Sequence, residues 1–346
     1  MKAQRRANNM LLLNTDVNCR EQHEIVRSAA GWYYFTHHLV EVTGPDACRL
    51  LDRIYVSNIA KLAPTRGRYT MMLTEEGIPQ DDCVIFRVDE EKYWVSTLHC
   101  PRTLKMLEEY SDGLDAAFHK ITKEMDMYAV QGPNAHDMVQ SLVSTDLTQL
   151  KRFQIVSDKI GDVEVKIAKA GYTGESGYEI YCAVADAPAI EAVLEKASPR
   201  FGAKKVDEFD VEAYTLATEA GFVLVTDIDE ATPFETGMDW TIDFAKADFL
   251  GKVAADEAKA QPPKQKLVGI TVDEPFTKVH GGPYGGCVSK NGEQIGRVTK
   301  FTYGFTIGKW VGFALVKAGS AEPGEHVNID WDVDAVVAPS LCFLQK

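Results

Sequence analysis

Residues 170–180 read AGYTGESGYEI. Gly171, Gly174 and Gly177 fall within seven residues, together with Tyr172 and Glu175, and strand-like sequence lies on both sides. Glycine adopts positive φ without steric cost, so an ordinary hairpin loop accounts for the stretch. The alternative is a backbone shaped to approach a ligand. The flanking segment VEVKIAKAGYTGESGYEIYCAV (163–184) supports a hairpin. Val163, Val165 and Ile167 share one parity in its first arm, and Tyr178, Ile180 and Cys182 share one in its second. Glu179 therefore points away from Ile180, towards solvent or a site. The glycines do not follow G-x-G-x-x-G and no Lys-Ser/Thr pair follows them, so a phosphate cradle is not indicated.

Outward from this hairpin, DDCVIFRVDEEKYWVST (81–97) alternates on either side of Asp89-Glu90-Glu91 and reads as a second hairpin. Two further segments resemble each other: LVEVTGPDACRLLDRI (39–54) and DMYAVQGPNAHDMVQSLV (126–143). Each runs from a strand through Gly-Pro-Asp/Asn-Ala into an amphipathic helix, with the proline placed early in that helix. Their spacing suggests a duplicated α+β half, although strand–Gly-Pro–helix corners are also common on their own. APAIEAVLEKA (187–197) reads as a helix. AKAQPPKQK (258–266) contains Pro-Pro and no apolar side chain larger than alanine, which marks a boundary. It separates an α+β region (1–257) from a small C-terminal β domain (267–346) with turn signals at Asn291-Gly292 and Pro323-Gly324.

Three groups of residues could carry chemistry. Asp81 and Asp82 are adjacent, so in a strand they face opposite ways and one at most serves a given site. The run Trp32-Tyr33-Tyr34-Phe35 could stack on a planar ligand or enclose a methylated cation. His37 and His38 follow it and could act as acid and base, although ligands sharing one strand face would be two residues apart. TPFETGMDW (232–240) is uninformative by itself. No Ser-His-Asp order, metal motif or nucleophile elbow stands out.

Composition narrows the classes. The 346 residues include 37 Lys plus Arg against 51 Asp plus Glu, a formal net charge of −14. That balance disfavours nucleic acid and anionic membrane surfaces, which need a basic footprint. Seven dispersed cysteines with no C-x-x-C fit a reducing compartment and argue against a zinc site. The apolar run Met10–Leu13 is too short for a signal peptide, and no stretch reaches the ~20 apolar residues of a membrane span. A cytoplasmic location is the expectation. Oligomeric state leaves no readable mark.

In order, the chain carries GRYTMMLTEEGIPQDD (67–82), AVQGPNA (129–135), AGYTGESGYEI (170–180), ATEAG (217–221), TPFETGMDW (232–240) and IGRVT (295–299). This series resembles the aminomethyltransferase family, typified by the T-protein of the glycine cleavage system, from about Glu21 to the C-terminus. The family includes folate-dependent demethylases of small methylated molecules. The resemblance implies a three-lobed, cloverleaf-like α+β fold with tetrahydrofolate in its central hole. It implies that Asp81 matches the essential aspartate beside the folate nitrogen, and that Glu179 grips the pterin through paired N–H donors. It implies that Tyr69 and Tyr172 line the same pocket, and that the glycine-rich turn lets the backbone approach a flat ligand.

Departures from the pattern shape the functional expectation. The T-protein carries two arginines in A-R-D-T-L-R before its EAG segment, where this chain has Ala213 and Ala217 in EAYTLATEAG (212–221). WYYFTHH stands where the family has an acidic D-V-S-H segment, and a phenylalanine-glycine-tryptophan region is missing. The expectation is therefore a tetrahydrofolate-dependent methyltransferase closer to the demethylases than to the T-protein. In it Trp32, Tyr33 and Tyr34 would hold a small O-, N- or S-methylated donor, and His37 or His38 would protonate a leaving group. Aminomethyl transfer from a carrier protein is the alternative. A non-catalytic folate-binding relative is a third reading, but the cysteine signature K-G-C-Y-x-G-Q is replaced by TPFETGMDW.

Overall fold

The computed structural model describes residues 17–35, 38–207, 210–275, 285–330 and 332–344. Helix α1 (Val17–Ser28) leads into strand β1 (Ala30–Tyr34). Strand β2 (His38–Thr43) then turns at Gly44 into helix α2 (Ala47–Ile54). Three strands follow, β3 (Arg66–Leu73), β4 (Pro79–Asp89) and β5 (Lys92–Thr97), then α3 (Cys100–Tyr110) and β6 (Ala117–Lys120). The corner recurs where β7 (Met125–Gln131) turns at Gly132 into α4 (Ala135–Gln140). After it come β8 (Ile155–Ile160), β9 (Val163–Ala168), β10 (Gly177–Ala183), α5 (Ala187–Phe201) and β11 (Ala203–Lys205).

The two corners share one construction. Gly44 and Gly132 both have large positive φ, +113° and +128°, and a Cβ on either would meet backbone carbonyl oxygens. Ala47 donates to the Gly44 carbonyl and Ala135 to the Gly132 carbonyl, each at 3.0 Å. The helices begin two residues after the prolines, with Asp46 and Asn134 at their N-caps. Pro45 and Pro133 therefore sit in the turns, not inside the helices as their sequence position suggested.

Each corner belongs to its own sheet. One has the order β11-β1-β7-β10-β9-β8, the other β3-β4-β5-β2-β6. The first packs α4 and α5 on its outer face over Trp32, Tyr128, Val130, Tyr178 and Ile180. The second packs α2 and α3 over Val40, Cys83, Ile85 and Val95. Their inner faces meet through Tyr33, Phe86, Trp94, Ala129 and Tyr181. The Tyr181 ring lies 5.6 Å from that of Trp94 and 6.3 Å from that of Phe86, joining the sheets through contacts worth about 1 kcal/mol each beyond their buried area.

The third lobe is a closed barrel. Its strands are β12 (Gln265–Val272), β13 (Cys287–Lys290), β14 (Glu293–Gly304), β15 (Lys309–Lys317), β16 (His326–Ile329) and β17 (Val333–Val337). Asn291 and Gly292 both take positive φ in the tight turn between β13 and β14, as the sequence suggested. Helix α6 (Lys252–Lys259) precedes the barrel. Phe313 and Leu315 on the barrel's outer side pack with Val56, Met71, Val223, Ile228 and Phe249. A polar hub adds to this join. Buried Glu219 accepts from His23 and Arg27 of α1, at 3.1 and 3.0 Å, and from the Thr306 N–H at 2.8 Å. Burial alone would raise the Glu219 carboxyl, but His23 and Arg27 hold it below its ordinary value.

Candidate active site

The glycine-rich loop is built around Gln131 at the end of β7. The Gln131 carboxamide donates to the Ala170 carbonyl at 2.9 Å and accepts from the Thr173 hydroxyl at 2.9 Å. A Cβ on Gly171 or Gly177 would overlap that carboxamide. Those two glycines therefore serve a close approach to a protein side chain, a constraint the sequence did not show. Gly174 is the one among them with left-handed backbone, φ +79°. Tyr172 leaves this loop, donates to the Val223 carbonyl at 2.8 Å and stacks on Phe222 at 5.6 Å.

Strand parity then brings two carboxylates to the inner side of the sheets. Glu179 on β10 shares its face with Tyr181, whose hydroxyl donates to it at 2.7 Å. Burial pushes the Glu179 carboxyl up to about 7, against the opposing pull of the Tyr181 hydroxyl. On β4, Asp82 shares its face with Val84 and Phe86. Asp82 accepts from the Tyr69 hydroxyl at 3.0 Å and from the Val225 N–H at 3.1 Å. Burial raises it to about 6, Tyr69 pulls it down and Asp227 adds to the rise. Tyr69 also stacks against Trp240 at 5.8 Å, and Trp240 is 66% exposed. Tyr69, Tyr172 and Glu179 thus all border the inner side.

Asp81 does not. It lies on the opposite face of β4, fully buried on the α2–α3 side. It accepts from Thr97 at 2.7 Å and from Thr103 at 2.9 Å, and burial followed by the Asp82 charge lifts it to about 7. The expectation grouped Asp81 with Tyr69, Tyr172 and Glu179; the structure does not bring it to them, because the pleat turns it to the opposite face of β4 and puts Asp82 on the face shared with Tyr69. His38 pairs with Thr97 across β2 and β5 and so belongs to the Asp81 side as well. Burial and Lys120 depress its pKa. His37 lies outside the described residues.

The aromatic run also divides. Trp32 is buried in the outer core, and its indole donates to Ser198 of α5 at 2.8 Å. Tyr34 is 40% exposed at the end of β1, on the same face as Trp32, and meets Tyr128 edge-on at 5.9 Å. Tyr33 faces inward with Phe35, whose ring it meets edge-on at 6.1 Å, and burial, with Glu212 and Glu179 adding to it, raises its pKa well above the usual phenol range. A donor pocket shared by Trp32, Tyr33 and Tyr34 is therefore not formed.

Sequence reasoning missed Tyr181, Trp240, Asp227 and Lys300. Tyr181 was legible as the i+2 neighbour of Glu179. Trp240 closes TPFETGMDW, a stretch in the motif series from which no residue was singled out, while Asp227 and Lys300 come from distant segments with nothing local to mark them. Ala213 and Ala217 are both buried, on a π-helical turn (Val211–Thr215) and the helix that continues it. A separate cleft of about 820 Å³ lies between α6 and the barrel, and none of the inner-face residues lines it. Among the described residues, no group of three or more His, Cys, Asp or Glu is placed to hold a metal ion, and no helix is long and apolar enough to cross a membrane.

The same two-part architecture appears in comparison with known proteins. Residues 14–246 match the GCVT N-terminal domain, and residues 265–341 match the glycine cleavage T-protein C-terminal barrel domain. The chain belongs to the aminomethyltransferase family. A probable aminomethyltransferase of Haloarcula marismortui is 33% identical over 323 residues, covering 90% of this chain and 85% of that protein. The aminomethyltransferase of Bacillus subtilis is 32% identical, covering 90% and 86%. The crystal structure of glycine cleavage system aminomethyltransferase T from Bartonella henselae superposes with a TM-score of 0.84, 24% identity and coverage of 96% and 91%. That likeness bears on the fold, a mixed α/β arrangement with a closed six-stranded barrel.

The family's chemistry is one-carbon transfer with tetrahydrofolate. The inner face fits that group. The Glu179 carboxylate has acceptor capacity beyond the one bond from Tyr181, which suits the paired N–H donors of a pterin. Tyr172 and the Tyr69–Trp240 stack supply flat walls, and Asp82 supplies the second carboxylate.

Proposed function

We propose that the chain transfers an aminomethyl-derived one-carbon unit to tetrahydrofolate, the alternative weighed from the sequence, in preference to demethylating a small methylated donor. One observation carries this reading. The working face pairs Asp82–Tyr69 with Glu179–Tyr181, while Trp32 and Tyr34, needed to enclose a methyl donor, lie on the other side of β1. The relatives named aminomethyltransferase support it further.

Tetrahydrofolate, when bound, supplies the nucleophilic nitrogen that takes up the one-carbon unit. Glu179 holds the pterin edge through its carboxylate, and the Tyr181 hydroxyl fixes that carboxylate's rotamer. Asp82 stands fixed by two hydrogen bonds before any reaction, so its charge stabilises positive charge developing at the acceptor without reorganisation. The Tyr172 hydroxyl is already engaged by Val223, so its ring acts as a wall.

The test offers the purified chain tetrahydrofolate with an aminomethylated lipoyl carrier protein, and separately with sulfonium, quaternary-amine and methoxyarene donors. Ammonia released together with methylene-tetrahydrofolate is the expected result. Methyl-tetrahydrofolate formed from a methylated donor, with no reaction of the carrier, would overturn the reading in favour of demethylation.

A further inference from the structure

The segment Phe222–Val225 is tied at four successive backbone groups. The Phe222 carbonyl accepts from Lys300 Nζ at 3.1 Å, and the Val223 carbonyl accepts from the Tyr172 hydroxyl at 2.8 Å. The Leu224 N–H donates to Asp227 at 2.7 Å, and the Val225 N–H donates to Asp82 at 3.1 Å. Lys300 closes the set with an ion pair to Asp227 at 3.4 Å, both side chains being 1% exposed. A lysine this deeply buried is costly unless paired and hydrogen-bonded, so its place needs an explanation.

The barrel delivers it there by a local irregularity. Val298 points into the barrel core, and strict alternation would send Lys300 the same way. The register between β14 and β15 instead shifts at Thr299, so Lys300 pairs with Phe313, whose ring packs on the barrel's outer side. Bulges of this kind re-aim side chains beside functional sites.

We propose that Lys300 is a positioning residue for Asp82: through Asp227 and the tied segment it sets both the placement and the charge balance of the working carboxylate. The role of Asp82 rests on the function proposed above. Two carboxylates, Asp82 and Asp227, face one ammonium. The groups acting on Asp82 are Tyr69 from β3, Tyr172 from the glycine-rich loop, Asp227 and the Val225 N–H from the tied segment, and Lys300 from the barrel. Asp81 and Cys83 act on it from the other face of its own strand. Lys300 and Asp227 pull its proton equilibrium in opposite directions. The competing account is that Lys300 merely anchors the barrel to the rest of the molecule.

The two accounts separate in a titration that needs neither folate nor donor, so the result stands apart from the fate of the proposed function. The carboxyl carbon of Asp82 is followed by NMR in full-length protein labelled with ¹³C-aspartate, with D82N used for assignment and circular dichroism used to confirm folding. In K300M the midpoint should rise by about one pH unit or more, and K300R should largely restore it. In D227N, which keeps the lysine, the midpoint should fall. A folded K300M whose Asp82 midpoint stays within ~0.2 units of wild type would overturn the proposal. If K300M does not fold, an unmoved midpoint in D227N would do the same.

Discussion

Asp81 and Asp82 are neighbours in the chain, yet they end on opposite sides of one sheet. Asp81 is held by Thr97 and Thr103 among the α2–α3 core residues, and Asp82 by Tyr69 and the Val225 N–H on the inner side. The difference gives a sharp comparison. D82N should keep the fold and lower turnover by ~10²–10³, the usual scale for a preorganised electrostatic group. D81N should leave turnover within a few-fold. Steady-state kinetics on the two variants checks this, and the reverse ranking would return the catalytic role to Asp81.

Turnover should also fall in acid. In the proposed role the carboxylate form of Asp82 stabilises developing positive charge, and burial raises its pKa to about 6, so the rate should drop as pH falls through that value. Tyr69 pulls the Asp82 equilibrium down, so Y69F should move this acid limb upwards. Rate–pH profiles of wild type and Y69F measure the shift, and an unmoved limb would show that another group controls it.

Glu179 couples stability to function. Its folded-state value of about 7 lies above the ordinary 4.5. Its stabilising contribution is therefore complete below about 4.5 and lost as pH rises through about 7. E179Q should flatten the fall of melting temperature as pH rises across that window. At pH 8 and without ligand it should gain ~1–3 kcal/mol of stability, since a partly buried charge is gone. Tetrahydrofolate affinity should fall in the same variant, as calorimetry would show.

Gly171 owes its identity to Gln131, which predicts a specific non-additivity. G171A should destabilise by ~2–4 kcal/mol through overlap with the Gln131 carboxamide. In a Q131A background the same change should cost ~1 kcal/mol or less beyond Q131A itself, because the obstructing group is absent. Denaturant unfolding of the four proteins gives the coupling directly.

Lys246 should be purely structural. It is 6% exposed and donates to the carbonyls of Asp52, Tyr55 and Ser57 at 2.5, 2.7 and 3.1 Å, closing the end of α2. K246M should cost about 3 kcal/mol or more, since those acceptors lose a shared charged donor. The carboxylate-dependent steps should be unaffected at temperatures where the variant is folded, so a lower melting point with unchanged turnover is the expected pattern.

Much of the architecture was legible in sequence because it rests on local chemistry. The Gly-Pro corners need positive φ at Gly44 and Gly132, the Asn291-Gly292 turn needs it at two successive residues, and the arms of both hairpins alternate. The motif series grouped Tyr69, Tyr172 and Glu179, and the structure brings these three to the inner side. Pleat parity also showed that only one of Asp81 and Asp82 could serve the site; the same rule, not applied to the aromatic run, separates Trp32 and Tyr34 from Tyr33. Parity gives relative direction alone. Which face looks inward is read from hydrophobicity only when one face is wet, and here both sheets are covered on both sides: Trp32 and Tyr33 are each 1% exposed. The choice between them, and between the two aspartates, was made by which layer packed against which face. The placement of Lys300 was decided at the same level, by a one-residue shift in a barrel strand that leaves no mark in the sequence of that strand. Local conformational preference fixed the turns and the pairing of near neighbours, while long-range packing chose the side of each sheet on which the chemistry stands.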